Sequence, residues 1–452
     1  MTRKKKPLYW MLCITFALLA TVLAGCSSNG NTGGQEQPGI GSPGAGGSGD
    51  GEQVSLTFGH FRVNNEGIDK VFLNTLETFR QDHPNVTIDE EAVAHDPYRQ
   101  KMTTLGASGA LPDIFMANGS MIIDYAGNNF VMPWDDLIKQ DTEWSEGFLD
   151  GAFDDFVVGG VTYGVPIKMA SVHTIYYNEE IFKEAGISEF PQTWDELLAA
   201  VDQLKQAGYI PIAMGNKSNV PVGSTLFSTL ADRVTGTEWF NGLETGESKF
   251  TDPEFVEALN KMKDLVDAGA FNEDINSIDE SQGEALYYNK QAAMMISGSW
   301  FVSRIVENAP QDVADHTKFG LLPPIPGGEG EARAVAGGGG WSYAINANLT
   351  GVKKETAIEI VKALSNDTFA KSQKEVNDLP ARAVAEYDKT KLSNLANEYS
   401  DFLEGVKYTP VYDIRLKPAL VEVLYRGVQE LMIGVTTPDE IAQRAQAIQD
   451  QP

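Results

Sequence analysis

The strongest restriction on the fold is a strand-then-helix alternation that runs through the first third of the chain and starts again after residue 160. Val54, Leu56 and Phe58 alternate as in a half-buried strand, and Ile68, Val71, Phe72, Leu76 and Phe79 then recur at helical spacing ahead of Pro84. Val86 and Ile88 open a second strand, Asp96-Pro97 predicts an N-cap with proline at the first helical position, and Leu111–Met116 predicts a third strand. That order is the signature of an α/β sheet with crossover helices. The second run has strands over Val172–Tyr177, Tyr209–Met214, Ala292–Ile296 and Ser342–Ile345. Its helices start at a Thr193/Glu196 capping box, at Thr251-Asp252-Pro253 and at Thr437-Pro438. No fixed-period repeat is present, and about 400 residues exceed one core, so two α/β lobes are expected.

Charge and motif content narrow the function. Asp and Glu total 63 against 35 for Lys and Arg, a formal net charge of −28 that repels phosphate backbones and argues against a nucleic-acid partner. The only cysteines are Cys13 and Cys26, so residues beyond 26 have neither a disulfide framework, nor a cysteine nucleophile, nor a thiolate metal site. P-loop, HExxH and GxSxG patterns are absent. The five histidines are scattered and read as surface or loop residues rather than ligands. Gly337–Gly340 leads into a strand-like stretch, which does not suit a dinucleotide cradle. No metal and no cofactor are expected.

The N-terminus reads as an export and anchoring signal. Arg3, Lys4, Lys5 and Lys6 precede an uncharged run from Leu8 to Ala24, the layout of a signal peptide over residues 1–25. Leu23-Ala24-Gly25-Cys26 at its end resembles the bacterial lipobox, which implies diacylation of Cys26 and a lipid-anchored location on the outer face of the cell membrane, as on a Gram-positive surface. Residues 26–53 hold ten Gly, four Ser and two Pro, a composition that cannot bury a core and reads as a tether. Its r.m.s. reach is roughly 30 Å.

Three strand ends collect ligand-type side chains, where open α/β sheets present their sites. These are the loop with His60, Arg62 and Asn64, the stretch from Asp113 that leads to Asn118 and Ser120, and the Gly298-Ser299-Trp300 turn. A tryptophan after a small-residue turn offers a flat apolar plate beside free N–H donors, the combination on which a sugar face packs. Filling the helix–sheet core is the competing role for Trp300.

With these stretches in place, the chain from 54 to about 450 resembles the bacterial extracellular solute-binding proteins of family 1, the maltose-binding-protein-like sugar receptors of ABC importers. The resemblance rests on VSLTFGHF (54–61), LPDIFMANGS (111–120), YGVPIKMASVHTIYYNEEIFKEAGI (163–187), PQTWDELLAAVDQLKQAG (191–208), AAMMISGSWFVSRI (292–305), AVAGGGGWSYAIN (334–346), LPAR (379–382) and VQELMIGVTTPDEIAQRAQ (428–446), in that order. It implies a type II periplasmic-binding-protein-like α/β fold whose two lobes, 54–167 plus 335–381 and 168–334 plus 382–452, hold ligand in the cleft between them. Crossovers would fall near Pro166–Ser171, Arg333–Gly337 and Pro380–Val384.

The same resemblance implies a monomeric, non-enzymatic receptor that passes a carbohydrate to a membrane permease with separate ATPase subunits. Position by position it nominates Trp300 and Trp341 as aromatic contacts, then His60, Arg62, Asn64, Asp113, Asn118, Ser120 and Arg382, the last as a ligand contact or a hinge brace. After Pro410 the chain carries Tyr412, Asp413 and Arg415 and lacks the tryptophan a maltose binder uses there, which argues against maltodextrin. A non-sugar solute (peptide, polyamine, organic phosphate or metal) and a lipid-anchored carbohydrate-active enzyme are the alternatives.

Overall fold

Alternating apolar residues put Val54, Leu56 and Phe58 on the buried face of β1 (Val54–His60), a strand of the first sheet flanked on both sides. The computed structural model describes residues 52–451 apart from 65, 66 and 170, so the signal, lipobox and most of the tether lie outside the described residues. Along the chain β1 is followed by β2 (Val86–Ala92), β3 (Ile114–Asn118), β4 (Val165–Pro166), β5 (Thr174–Asn178), β6 (Ile210–Ala213), β7 (Ala292–Ser297), β8 (Thr317–Gly320), β9 (Ala334–Ala336), β10 (Trp341–Ile345) and β11 (Lys407–Thr409).

Two sheets carry the architecture. The first has the order β2-β1-β3-β10-β4, the second β8-β5-β7-β6, and β9 pairs with β11 in a two-stranded ribbon. β1, β2 and β3 are parallel, as the alternation predicts, because helices Gly67–Asp82 and His95–Ser108 return the chain to the same edge. β10 then runs antiparallel to both β3 and β4, and β5 antiparallel to both β7 and β8, so both sheets are mixed. Phe58, Phe72, Phe115 and Tyr343 fill the core of the first sheet, and Leu197, Ile212, Phe227, Leu259 and Met294 that of the second.

The local start signals are read correctly with one shift. Thr193 and Thr437 form reciprocal capping boxes with Glu196 and Glu440. The helix expected to begin at Pro97 begins at His95, with Ala94 as N-cap, so Asp96 lies inside its first turn. There its negative charge favours the helix N-terminus without capping it.

Three crossover segments lie side by side between the sheets. Residues 167–173 leave β4 for β5; Ser171 and His173 donate backbone bonds to Gly338 and Ala336, and Met169 donates to Leu379. Lys168 reaches Asp378 at 2.8 Å in a pair nearly closed to solvent. Gln373 donates to the Ile167 carbonyl and Ser299 to that of Met169, so first-sheet and second-sheet elements grip one segment. Breaking this pair strands a buried charge. Lys168→Met or Asp378→Leu alone is therefore expected to cost about 3–5 kcal/mol in urea unfolding, while the double variant recovers most of it. Single variants that unfold like the wild type would show that water reaches the pair.

Candidate functional site

The C-terminal ends of β1 and β3 and the start of β10 face the end of β7 across the crossovers, and the side chains there form a line from one sheet to the other. On the first-sheet side Trp341, 9% exposed, is packed by Phe61 (4.6 Å between centroids), His95 and Tyr98. Arg99 stands over the Trp341 ring at 5.9 Å and reaches the Asp413 carboxylate at 3.3 Å. Asp413 belongs to the short helix Tyr412–Arg415, and its other carboxylate oxygen accepts from the Tyr425 hydroxyl. On the second-sheet side the imidazole of His173 meets Trp300 edge-on at 6.0 Å and lies in the field of Asp413.

Trp300 opens the helix Trp300–Asn308 and is half-buried. Its ring lies over Gly298, where a Cβ would come within 2.0 Å of the indole, so only glycine seats it. The indole N–H donates to Glu280 at 3.1 Å, and Arg304 bridges Glu280 and the buried Glu284. One edge of the ring is thus fixed by hydrogen bonding, while the side chain, only half-buried, packs against the cluster of Tyr287 and Phe301.

The other nominated residues divide by what holds them. His60 is buried: its Nε2–H donates to Glu90 at 3.0 Å and its Nδ1 accepts from the Arg62 backbone N–H, so both ring nitrogens shape the loop. Arg62 is buried beside Asp69 at 3.8 Å with its Nε unpartnered, and the exposed Asn64 donates its backbone N–H to Asp69. Asn118 caps the helix Gly119–Gly127 through Met121 N and gives its amide to the Asp413 carbonyl. Ser120, in the first turn of that helix, is buried with it. Gly119 permits the approach, since a Cβ there would lie 2.4 Å from the Asp155 and Ile414 carbonyls.

Two residues fall away from the line. Asp113 sits at the opposite, N-terminal end of β3, where its carboxylate accepts from both the backbone and the hydroxyl of Thr57, tying β3 to β1. Arg382, 4% exposed, spends its guanidinium on Asp367 and the Trp144 carbonyl and stacks over Phe148, which makes it a crossover brace. The reading of all five histidines as surface or loop residues is also corrected, because His60 and His173 are buried. Arg99 and His173 had no sequence signal of their own. A basic residue one turn into a helix, or a histidine opening a strand, looks ordinary until the partner from the other sheet is in place.

Electrostatics follow the burial. Burial holds the His173 imidazole down to about 4, against a smaller opposing pull from Asp413, so it is neutral near pH 7. Burial also raises the Asp155 carboxyl, which accepts the Gly340 N–H. The group Glu180, Asp312 and His316 has metal-ligand chemistry, but Lys290 already pairs with both carboxylates.

Two mixed α/β sheets are thus joined through the crossover segments, near which aromatic and charged side chains meet. The chain matches the family model of the bacterial extracellular solute-binding proteins over residues 64–368, and it belongs to that family. A relative from Brucella abortus (strain 2308), named only as a binding protein, is 25% identical over 84% of this chain and 89% of its own length. An uncharacterised ABC-transporter extracellular-binding protein of Pyrococcus horikoshii is 26% identical over 49% of this chain and 50% of its own. Among solved structures, a chitin oligosaccharide binding protein superposes with a TM-score of 0.80 at 26% identity, covering 88% of this chain and 99% of that one. The fold is therefore the type II periplasmic-binding-protein-like fold, and the protein is a solute-binding protein of ABC transporters. No helix among the described residues is long and apolar enough to cross a membrane.

Glu90 offers a pH test of the His60 loop. The hydrogen bond from His60, aided by Arg80, holds its carboxyl down to about 2 from an ordinary 4.5. Its contribution to stability is present above about pH 4.5 and is lost as pH falls toward 2. Glu90→Gln should lower the urea midpoint at pH 6, and the gap to wild type should close between pH 4.5 and 2. A gap that stays constant over that range would exclude the linkage.

Proposed function

We propose that this protein captures a carbohydrate, most simply an oligosaccharide, by closing its two lobes around it, and hands it to a membrane permease driven by separate ATPase subunits. The observation that carries the reading is the Trp300 ring, seated on Gly298, pinned at its indole nitrogen and only half-buried. A pyranose presents a C–H face to such a ring and hydroxyls to the polar groups around it. The similar chitin oligosaccharide binding protein supports the same ligand class. The lobes in this reading are 54–167 plus 335–381 and 168–334 plus 382–452, hinged at the crossovers. The ligand set is Trp300 with Arg62, Asn64, Asn118, Ser120 and Trp341, the buried members becoming accessible when the lobes part. The protein acts stoichiometrically as a monomer and catalyses no reaction.

A thermal-shift panel of mono- and oligosaccharides tests the ligand class, because binding only the folded state adds about 2.7 kcal/mol at a hundredfold excess over Kd. With a sugar that shifts the wild type, Trp300→Ala is expected to weaken binding about 30- to 1,000-fold, or about 2–4 kcal/mol. If the variant melts several degrees lower without sugar yet keeps the full shift, the ring is core packing and the site lies elsewhere.

Anchoring is a separate part of the proposal. Two acyl chains on Cys26 are the physical minimum for stable attachment, and residues 26–53 then hold the receptor off the membrane. Cys26→Ser is expected to release the protein or leave its signal uncleaved. Mass spectrometry that finds an unmodified, uncleaved N-terminus on the wild type in the membrane would refute it.

A further inference from the structure

His173 is 2% exposed, and neither ring nitrogen has a hydrogen-bond partner among the described residues. Most buried polar side-chain atoms are partnered, and leaving both nitrogens of one imidazole bare is costly, so the position calls for an explanation. The surroundings do not supply one. Asp413 is the acid whose field reaches the ring, but one of its oxygens is held by Tyr425 and the other by Arg99. Trp300 meets the ring only edge to face, and its indole N–H is committed to Glu280. The backbone of His173 bonds Ala336 on the second crossover, and its ring is closed off from bulk water.

We infer that His173 is a ligand-reading residue: its neutral imidazole gives one hydrogen bond to, and takes one from, adjacent hydroxyls of a sugar ring stacked on Trp300. The inference rests on the carbohydrate reading above and adds a specificity determinant to it. A neutral imidazole has one N–H donor and one bare acceptor nitrogen, and a vicinal diol offers one acceptor and one donor at neighbouring carbons. An ammonium ligand would leave the donor nitrogen unused, and a carboxylate or phosphate would leave the acceptor unused and would face Asp413. The position also explains why the imidazole is kept uncharged by burial, since the imidazolium would have two donors and no acceptor.

The experiment measures calorimetric affinities of the full mature chain for four probes: triacetylchitotriose, xylotriose, maltotriose and cellotriose. His173→Phe keeps a flat ring and removes both polar nitrogens, and His173→Gln keeps one donor and one acceptor. For the probe bound best by the wild type, His173→Phe should weaken binding about 10- to 100-fold, with an unliganded melting temperature at or above that of the wild type. His173→Gln should lie between the two. Monodeoxy analogues of the same probe supply the readout that a structural role would not move. Removing the hydroxyl that His173 reads should weaken the wild type at least tenfold and leave His173→Phe nearly unchanged.

If His173→Phe binds the probe as tightly as the wild type, or if every deoxy analogue costs both proteins equally, this assignment is overturned while the carbohydrate reading stands. A wild type that binds none of the four probes overturns both. Should His173→Phe melt lower than the wild type, the deoxy comparison still decides between the two roles.

Discussion

Lys168 lies on the segment that leaves the first sheet and Asp378 on the one that returns past it, and their ion pair fixes two crossovers against each other where water hardly reaches. Around that pair the backbone of residues 167–173 is bonded to Leu379, Gly338 and Ala336 in turn, while Gln373 and Ser299 hold it from opposite sides. Hydrophobic burial makes each lobe, but it cannot set the relation between two separate cores, because apolar contact has no direction. Charge and hydrogen bonding do have direction. The positions of His173 and Trp300 relative to Arg99 and Trp341 are inherited from this layer.

The site uses two kinds of surface in different ways. Aromatic rings provide area, and they are placed by the absence of side chains beneath or beside them, as Gly298 is beneath Trp300. Charged groups are mostly spent on each other: Arg99 on Asp413, Arg304 on Glu280 and Glu284, Arg62 on Asp69. The polar atoms left over are therefore the informative ones. For a chain with net charge −28, a site in which each of these acids already has an arginine partner suits a neutral solute better than a cation.

Much of this was legible in advance, for reasons that can be named. The parallel β1, β2 and β3 were readable because period-two and period-3.6 patterns alternate over short distances, and the helix start at Trp300 was readable because a Gly-Ser turn precedes it. What depended on distant partners was hidden. β10 lies antiparallel to β3 more than 220 residues earlier, and no local pattern announces that direction. Asp113 was nominated by the resemblance, yet Thr57 on the neighbouring strand gives its carboxylate both a backbone and a hydroxyl hydrogen bond. Arg382 was caught between two roles until Asp367 and Trp144 accounted for its guanidinium. His173 was dismissed with the other histidines, because burial of a single polar residue is a tertiary property.

The glycine under Trp300 has a consequence for how such a receptor diversifies. Any replacement at Gly298 drives a β-carbon into the indole, so the seat of the ring is closed to point mutation while the ring stays. New preferences must arise around it, at loop positions such as Asn64, which is exposed and is held through its backbone N–H on Asp69. Lineages that inherit this seat would then drift in which solute they favour while the Gly298–Trp300 pair changes together or not at all.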